Sequence, residues 1–474
     1  MSAINLVLLI CLSLASFIGQ GWLLAGPLLN GSLLHKKRGN HLLQEIPQLI
    51  LTGMVINYGL VLVLHSLEIS LFTSLLLGFL GLLGYGISLF RYYRNRIPST
   101  ATMNKGLGAV FVCLLFLGPI IGKPLTDWDA RSIWFFHAKM VFTAGAFSQN
   151  AGWQDAVVKM FSHPDYPNLI PTLAAQVAQL VGFWNEYLPK LSLFFILVPA
   201  ITLLFSFARR SLSFFLLVLL LLFSINPYFW NGYMDGYLAL YFAIAILFMG
   251  KYVQKSQPID LTTSICCLLI LPYLKNEGML AVMVGGMLIP FIILFYKKSI
   301  KLHKPLSKNW NNCLYWLILL LPIAIWFFYK KQWGLVNGLE VGSAESLARL
   351  VNRLGDGSIK TIFTNIGNQV DVSLLLLGVL FSATVVWKKF LPVEMIPAVF
   401  AAFIYCIGMI VVYLMTPYDL SWHLHFSIQR TLLPVIYCLY VASYYLYSQI
   451  EAALITDYIY FGGKLRWKKS KTSY

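Results

Sequence analysis

Long apolar runs alternate with short polar segments along almost the whole chain. Thirteen runs approach or exceed the length that a helix needs to cross about 30 Å of hydrocarbon. They lie at 4–29, 46–67, 69–90, 105–122, 187–208, 211–230, 236–253, 260–274, 278–296, 311–330, 371–387, 392–415 and 430–449. The pattern therefore predicts an all-α, polytopic membrane protein with about 13 transmembrane helices.

Composition agrees with this interpretation. The 474 residues are 59% hydrophobic and 11% charged, whereas soluble globular domains carry about 25% charged residues. The net charge of +17 would suggest a nucleic-acid partner in a soluble protein. Here basic cytoplasmic loops explain it, so no nucleic acid is expected. The seven cysteines all lie in apolar runs, which favours small buried side chains over a disulfide framework or a zinc site.

Lysine and arginine concentrate in alternate loops, and this fixes the expected orientation. Basic loops face the cytoplasm, and the basic clusters lie at 36–38, 91–105, 209–210, 251–255, 297–308, 388–389 and 464–471. The N-terminus is then external, and the basic tail 451–474 is cytoplasmic. We expect a multi-pass protein of the plasma (inner) membrane whose unusual polar residues collect on the external face.

Three segments are expected to lie on that face without crossing the membrane. Residues 170–184 are apolar but short, and a crossing there would turn every later basic loop outward. Residues 134–147 are rich in aromatic side chains, as in a helix that lies in the membrane interface. The loop 330–368 contains an amphipathic pattern that also predicts an interfacial helix. Its apolar positions are Leu347, Leu350, Val351 and Leu354, opposite Glu345, Arg349 and Arg353.

Ionisable residues crowd into the external loop 123–186. Asp127 and Asp129 directly follow an apolar run, and a charge against a bilayer costs on the order of several kcal/mol unless water, a partner or a substrate meets it. Such carboxylates can act as a general base, hold a divalent cation, or pair with Arg131. For an Asp-x-Asp pair alone, a solvated helix N-terminus is the competing explanation.

Other polar residues stand at the ends of apolar runs on the same face. The segment Lys275–Gly278 separates two runs with almost no loop, and Asp235 lies in a tight turn. Arg430, preceded by Gln429, opens the last run. Each feature alone is typical of a topological anchor or a helix cap. Together with Asp129 they predict an anionic substrate bound by cations and a hydroxyl group that meets a carboxylate.

The order of these features resembles the GT-C superfamily of membrane glycosyltransferases, near the protein-mannosyltransferase and lipid A aminoarabinose-transferase branch. In that pattern an acidic residue in the first large external loop precedes a juxtamembrane helix, and a Tyr-Pro segment leads into another helix. The segments that match are Asp127-Trp128-Asp129-Ala130, Ile133 to Lys139, and His163-Pro164-Asp165-Tyr166-Pro167-Asn168-Leu169-Ile170-Pro171. The turn at 275–278 resembles the lysine-containing helix junction of many bacterial members. The resemblance implies that residues 101–450 form a GT-C-like catalytic core and that residues 1–100 form three extra N-terminal transmembrane helices.

The resemblance implies that a sugar is transferred, with inversion, from a polyprenyl-phosphate donor to a lipid-linked or cell-surface glycan acceptor at the external face. Asp129 is the expected base and Asp127 the second choice, because the pair is Asp-Trp-Asp where the family has adjacent Asp-Glu. Some members use a divalent cation, which Asp127 and Asp129 would hold here; no other cofactor is expected. The partners would be these substrates and membrane lipids. The residues expected around the substrate are Arg131, Lys139, His163, Asp165, Tyr166, Lys275, Glu277, Gln429 and Arg430.

Two other functions stay open from the sequence. A flippase or transporter for lipid-linked sugars would place charges near the bilayer midplane and favour internal repeats, and the sequence shows neither pattern. An O-antigen ligase or polymerase would favour a long external loop rich in arginine and histidine. The loop 330–368 has Arg349 and Arg353 but no histidine.

Overall fold

The computed structural model describes residues 2–29, 42–94, 100–148, 152–208, 211–224, 228–296, 310–336, 338–339, 342–369, 378, 382 and 395–460. Within these ranges the chain is helical and contains no strand. Nine helices there are long and apolar enough to cross a membrane. The protein is therefore an all-α, multi-pass membrane protein.

Nine of the thirteen predicted spans correspond to these long helices. The nine are Ala3–Leu28, Leu42–Leu64, Leu67–Arg91, Thr100–Gly122, Leu188–Phe205, Asp235–Lys255, Cys313–Gln332, Ile396–Met415 and Leu420–Glu451. The spans predicted at 211–230, 260–274 and 278–296 contain shorter apolar helices. The span predicted at 371–387 lies outside the described residues, apart from 378 and 382.

Three long helices open the chain and pack against one another. They are α1 (Ala3–Leu29), α2 (Leu42–Leu64) and α3 (Leu67–Tyr93). A Cβ atom at Gly19 would overlap the carbonyl of Gly78 on α3, and one at Gly53 on α2 would overlap the carbonyl of Phe17. The three backbones therefore meet directly, as small residues permit in membrane helices.

The polar stretch after α4 (Thr100–Gly122) folds into short helices. A π-helical turn at Ala130–Trp134 leads into α5, and two further helices follow. They are α5 (Phe135–Ala144), α6 (Ala156–Phe161) and α7 (Leu169–Val181). Helix α7 has 13 residues and is about 20 Å long. It is thus too short to cross a hydrocarbon core of about 30 Å.

The rest of the described chain supplies the remaining helices. They are α8 (Leu191–Phe205), α9 (Ser211–Leu219), α10 (Asp235–Lys255), α11 (Pro258–Leu269), α12 (Leu271–Leu274), α13 (Gly278–Tyr296), α14 (Trp310–Gln332), α15 (Ala344–Gly355), α16 (Ser358–Asn368), α17 (Ile396–Met415), α18 (Leu420–Thr431) and α19 (Leu433–Tyr460). Helix α14 packs against α1 and α2, and α15 and α16 pack against α17.

Helix α10 forms the centre of the described bundle. It packs against α8, α11, α13, α17 and α19, and every residue from Asp235 to Gly250 is buried. A helix that is apolar almost all round is stable in such a position. Because Asp235 is its first residue, the N-terminus of α10 brings a carboxylate into the interior of the bundle.

Candidate functional site

A cavity of about 460 Å³ lies where the loop after α4 meets the turns that precede α10 and α13 and the helices α17 and α18. We call it the site cavity. Part of its lining is polar or charged: Asp129, His163, Asp165, Tyr166, Tyr233, Asp235, Lys275, Glu277 and Arg430. The lining also includes apolar and aromatic side chains: Trp128, Leu280, Leu339, Tyr405, Met409, Val412, Trp422 and Phe426.

Five of the charged side chains in the lining form a continuous chain of ion pairs. Arg430 Nη1 lies 2.5 Å from Asp129 Oδ2 and 3.9 Å from Asp235 Oδ2. Lys275 Nζ lies 2.8 Å from Asp235 Oδ1 and 2.9 Å from Glu277 Oε1. Asp235 therefore stands between the two cations. Its Oδ2 and the Oε2 of Glu277 are buried without a hydrogen-bond partner.

Helix ends position these groups. Asp129 directly precedes the π-helical turn, and Arg430 lies in the last turn of α18. Lys275 caps the C-terminus of α12 in an extended conformation. A Cβ at Gly278 would overlap the carbonyl of Leu271, so glycine allows α13 to start against α12 and holds Lys275 in a tight turn. Helix ends leave backbone groups unpaired, which makes them suitable places for charged side chains.

A buried histidine fixes the loop that enters the cavity between α6 and α7. Asn168 Nδ2 donates to the carbonyl of Tyr166 (3.0 Å), so its Oδ1 accepts from His137 Nδ1 at 3.1 Å. The other ring nitrogen, Nε2, then accepts from Ser162 Oγ at 2.8 Å. The ring packs edge-on against Trp153, and its complete burial lowers the pKa of His137 to about 3. His137 is therefore neutral.

This loop presents three of the predicted residues to the cavity. His163 adopts a left-handed backbone conformation, with φ of 47°. Asp165 Oδ2 accepts from Asn276 Nδ2 at 2.6 Å and lies 3.9 Å from Lys330 Nζ. The Tyr166 ring lies 6.0 Å from the Lys275 ammonium. The loop thus reaches across to the turn between α12 and α13.

The surroundings shift several protonation equilibria. Burial raises the pKa of Asp165 above its ordinary value, although Lys330 and Asn276 oppose the shift. Burial opposes the charge of Lys275, but the carboxylates of Asp235 and Glu277 outweigh it and hold the pKa of Lys275 well above its usual range. Lys275 is therefore a permanent cation, and it suits an anionic group better than it suits proton transfer.

Aromatic side chains surround the mouth of the cavity. Trp128, Trp422 and Phe426 all line it, yet they are 67%, 53% and 59% exposed. Trp422 packs against Phe426 with ring centroids 5.3 Å apart. Large exposed apolar side chains beside the charged groups of the cavity suit a ligand that has an apolar portion and a polar or ionic end.

Seven of the eleven predicted site residues line the cavity. They are Asp129, His163, Asp165, Tyr166, Lys275, Glu277 and Arg430. Asp127 lies close enough to Arg430 and Asp129 for electrostatic interaction, and partial burial raises the pKa of its carboxyl. The remaining three point elsewhere: Arg131 and Gln429 are exposed, and Lys139 pairs with Glu186 at 3.9 Å on the surface.

Other residues join the site without having been selected from the sequence. Asp235 stood out as part of a tight turn, but nothing local to it indicated that it contacts both Lys275 and Arg430. Tyr233, two residues earlier, lies under the Arg430 guanidinium at 4.5 Å. On α17, the hydroxyl group of Tyr413 hydrogen-bonds to Ser427 and Thr431 of the next helix. Contacts between distant segments carry no sequence pattern of their own.

The sequence left open a divalent cation held by Asp127 and Asp129. Among the described residues, no three histidine, cysteine, aspartate or glutamate side chains come together as a set that could hold a metal ion. Of the two candidates, Asp129 already accepts from Arg430, so a cation would compete with a guanidinium. We assign no step to a metal.

Comparison of the chain with protein-family models, with curated proteins and with solved structures finds no match. Function must therefore be argued from the site.

Proposed function

We propose that the protein is a membrane glycosyltransferase that moves a sugar from a polyprenyl-phosphate donor to a lipid-linked or cell-surface glycan acceptor. The observation that supports this most is that one cavity is lined both by Asp129, Arg430 and Lys275 and by large apolar side chains. A polyprenyl-phosphate sugar has this same division into an anion, a hydroxylated ring and an apolar tail. The resemblance in motif order to GT-C enzymes points the same way.

In this proposal the two cations hold the donor phosphate. A guanidinium has five N–H groups, so Arg430 can donate to a phosphate oxygen while it keeps its contact with Asp129. Lys275 supplies a second, permanent positive charge. A phosphate leaving group needs no protonation, so electrostatic stabilisation by these cations is sufficient and no acid is required.

Asp129 acts as the general base. The acceptor hydroxyl oxygen attacks the anomeric carbon, and its proton passes to the Asp129 carboxylate. The bond between the anomeric carbon and the phosphate oxygen breaks, and its electron pair leaves with the lipid phosphate. The anomeric configuration inverts in this single displacement. A carboxylate is a suitable base because proton transfer comes late, when the oxygen has already become acidic.

The finer details of the fold belong to the same proposal. They comprise a GT-C-like arrangement with about 13 transmembrane helices, three extra helices within 1–100, a catalytic core at 101–450, and a cytoplasmic tail at 451–474. The cavity would face the exterior of the plasma membrane. Lipid-linked donors and surface glycans are met on that side.

We expect Asp129→Asn to lower transfer from a polyprenyl-phosphate sugar by about 10² or more, because the substitution keeps the shape but removes the proton acceptor. Binding of the donor should change little, since Lys275 and Arg430 hold the phosphate. The measurement is single-turnover transfer in detergent, alongside equilibrium binding of the donor. Asp127→Asn should lower transfer by a smaller factor than Asp129→Asn.

Asp356→Asn is the matched control. Asp356 is exposed between α15 and α16, and its Oδ1 accepts from the amide of Ser358, which an asparagine oxygen can also do. Full transfer by Asp129→Asn would remove Asp129 as the base. Loss of donor binding in a folded variant, with activity that a chelator abolishes in the wild type, would indicate a metal-binding role instead.

A further inference from the structure

Helix α15 turns its apolar side chains outward. Leu347, Val351 and Leu354 lie on one face of the helix and are 51%, 67% and 55% exposed. Leu350, to one side of this face, packs against the small hydrophobic cluster around Ile362 that joins α16, α17 and α18. An amphipathic helix on a water-facing surface has the opposite orientation, with its apolar face against the protein.

The arginines of α15 contact the end of α17 instead. Arg353 Nη1 donates to the carbonyls of Tyr413 (3.1 Å) and Thr416 (2.8 Å). Arg349 Nε donates to the carbonyl of Met415 at 2.9 Å. A helix C-terminus leaves its last carbonyls without intrahelical partners and carries partial negative charge. The two guanidinium groups donate hydrogen bonds to these carbonyls and place positive charge beside this negative end of the helix.

These contacts fix the level of α15 relative to the membrane. Helix α17 is one of the nine helices long and apolar enough to cross a bilayer, so its last carbonyls mark the edge of the hydrocarbon. A helix bound across that end lies at the interface. In the middle of α17, the side chains of Phe403 and Ile407 are 65% and 46% exposed. The apolar face of α15 therefore continues the lipid-facing surface of a span.

We propose that α15 docks on the bilayer surface through Leu347, Val351 and Leu354, and that this docking does not depend on anionic lipid. Interfacial helices commonly combine apolar burial with attraction between basic side chains and anionic headgroups. Both arginines of α15 instead contact backbone carbonyls, and its remaining ionisable residue, Glu345, is an acid. Apolar burial is then the driving force.

The test uses the full chain in nanodiscs, with an environment-sensitive fluorophore on a cysteine at Val351. The control has the same label at Asn352, which is exposed on a different face. The exposed Cys11 and Cys313 are first replaced by alanine. Brominated phosphatidylcholine should quench the label at 351 strongly and the label at 352 weakly. Addition of phosphatidylglycerol should not change the difference.

Equal quenching at both positions would overturn docking on lipid. Quenching at 351 that requires phosphatidylglycerol would overturn its independence of lipid charge. If the label at 351 is reached by a soluble quencher in nanodiscs but protected in native membranes, a protein partner covers the face and the proposal fails. Gel filtration of each labelled variant verifies folding. The experiment measures no transfer, so its result is separate from that of the proposed glycosyltransferase activity.

Discussion

His137 is neutral in the folded protein because its ring is buried and each ring nitrogen has one defined partner. Its pKa is about 3, whereas an exposed histidine titrates near 6.5. A lowered pKa means that the unfolded chain binds the proton first. The contribution of His137 to stability is therefore complete above about pH 6.5 and is lost as the pH falls toward about 3.

We expect the free energy of unfolding to fall by up to about 1.4 kcal/mol per pH unit from this group in that window. In His137→Gln the neutral side chain no longer titrates, so the acid-dependent slope should become shallower by one proton, although the variant starts less stable at neutral pH. Chemical unfolding in mixed micelles between about pH 7 and pH 4 measures both quantities. His425→Gln removes an exposed histidine and is the matched control. An unchanged slope in His137→Gln would show that His137 takes up its proton equally in the folded and unfolded states, which would contradict the lowered pKa.

At the residue scale, the sequence indicated the charged groups but not their directions. The sequence predicted three of them, Asp129, Lys275 and Arg430, because a charged side chain at the end of an apolar helix is costly unless water, a partner or a substrate meets it. Arg131 and Gln429 were selected with their neighbours, yet adjacent helical residues do not face the same way. Asp235 was not predicted as a site residue, since its role depends on contacts with two cations that lie 40 and 195 positions away along the chain.

At the element scale, α15 shows what amphipathic periodicity leaves undetermined. The spacing of Leu347, Val351 and Leu354 predicted the helix and its interfacial position. It could not show that the polar face turns toward protein, because that depends on the carbonyls at the end of α17 that accept from Arg349 and Arg353. Arg353 Nη2 also donates to the carbonyl of Tyr418 at 3.0 Å, and Tyr418 lines the site cavity. Helix α15 is thus tied to the wall of the site.

We expect Arg353→Gln to destabilise the protein by about 2 kcal/mol or more, since a hydrogen bond from a charged donor contributes roughly 1.5–3 kcal/mol. Arg353→Lys should lose less, because an ammonium still suits the helix C-terminus but cannot reach several carbonyls at once. Thermal unfolding in detergent ranks the variants, with Arg131→Gln as a control at an exposed arginine. Identical stability of wild type, Arg353→Lys and Arg353→Gln would contradict this assignment.

At the scale of the whole molecule, the described structure joins two kinds of helix. Long helices such as α10 give the bundle its thickness, and the short helices α5, α6 and α7 hold the loop that enters the site cavity. Apolar length alone predicted the first group. The second group depended on topology, since α7 is as apolar as a span but lacks the length.

Contacts made by α5 indicate that α7 stays on one side of the membrane. His137 on α5 contacts Asn168, which precedes α7, while Lys139 pairs with Glu186, which follows it. The two ends of α7 thus approach neighbouring residues of one short helix. A crossing segment would separate its ends by about 30 Å of hydrocarbon.

We therefore expect cysteines introduced at Lys159 and Glu186, both exposed, to react with an impermeant thiol reagent from the same side of the membrane. Cysteines at Arg210 and Lys388, which belong to basic clusters of the sequence outside the described residues, should react from the opposite side, because basic segments are retained in the cytoplasm. Labelling of intact cells, compared with labelling after permeabilisation, separates the two groups. If Lys159 and Glu186 fell on opposite sides, α7 would be a span, and the orientation of every later helix would reverse.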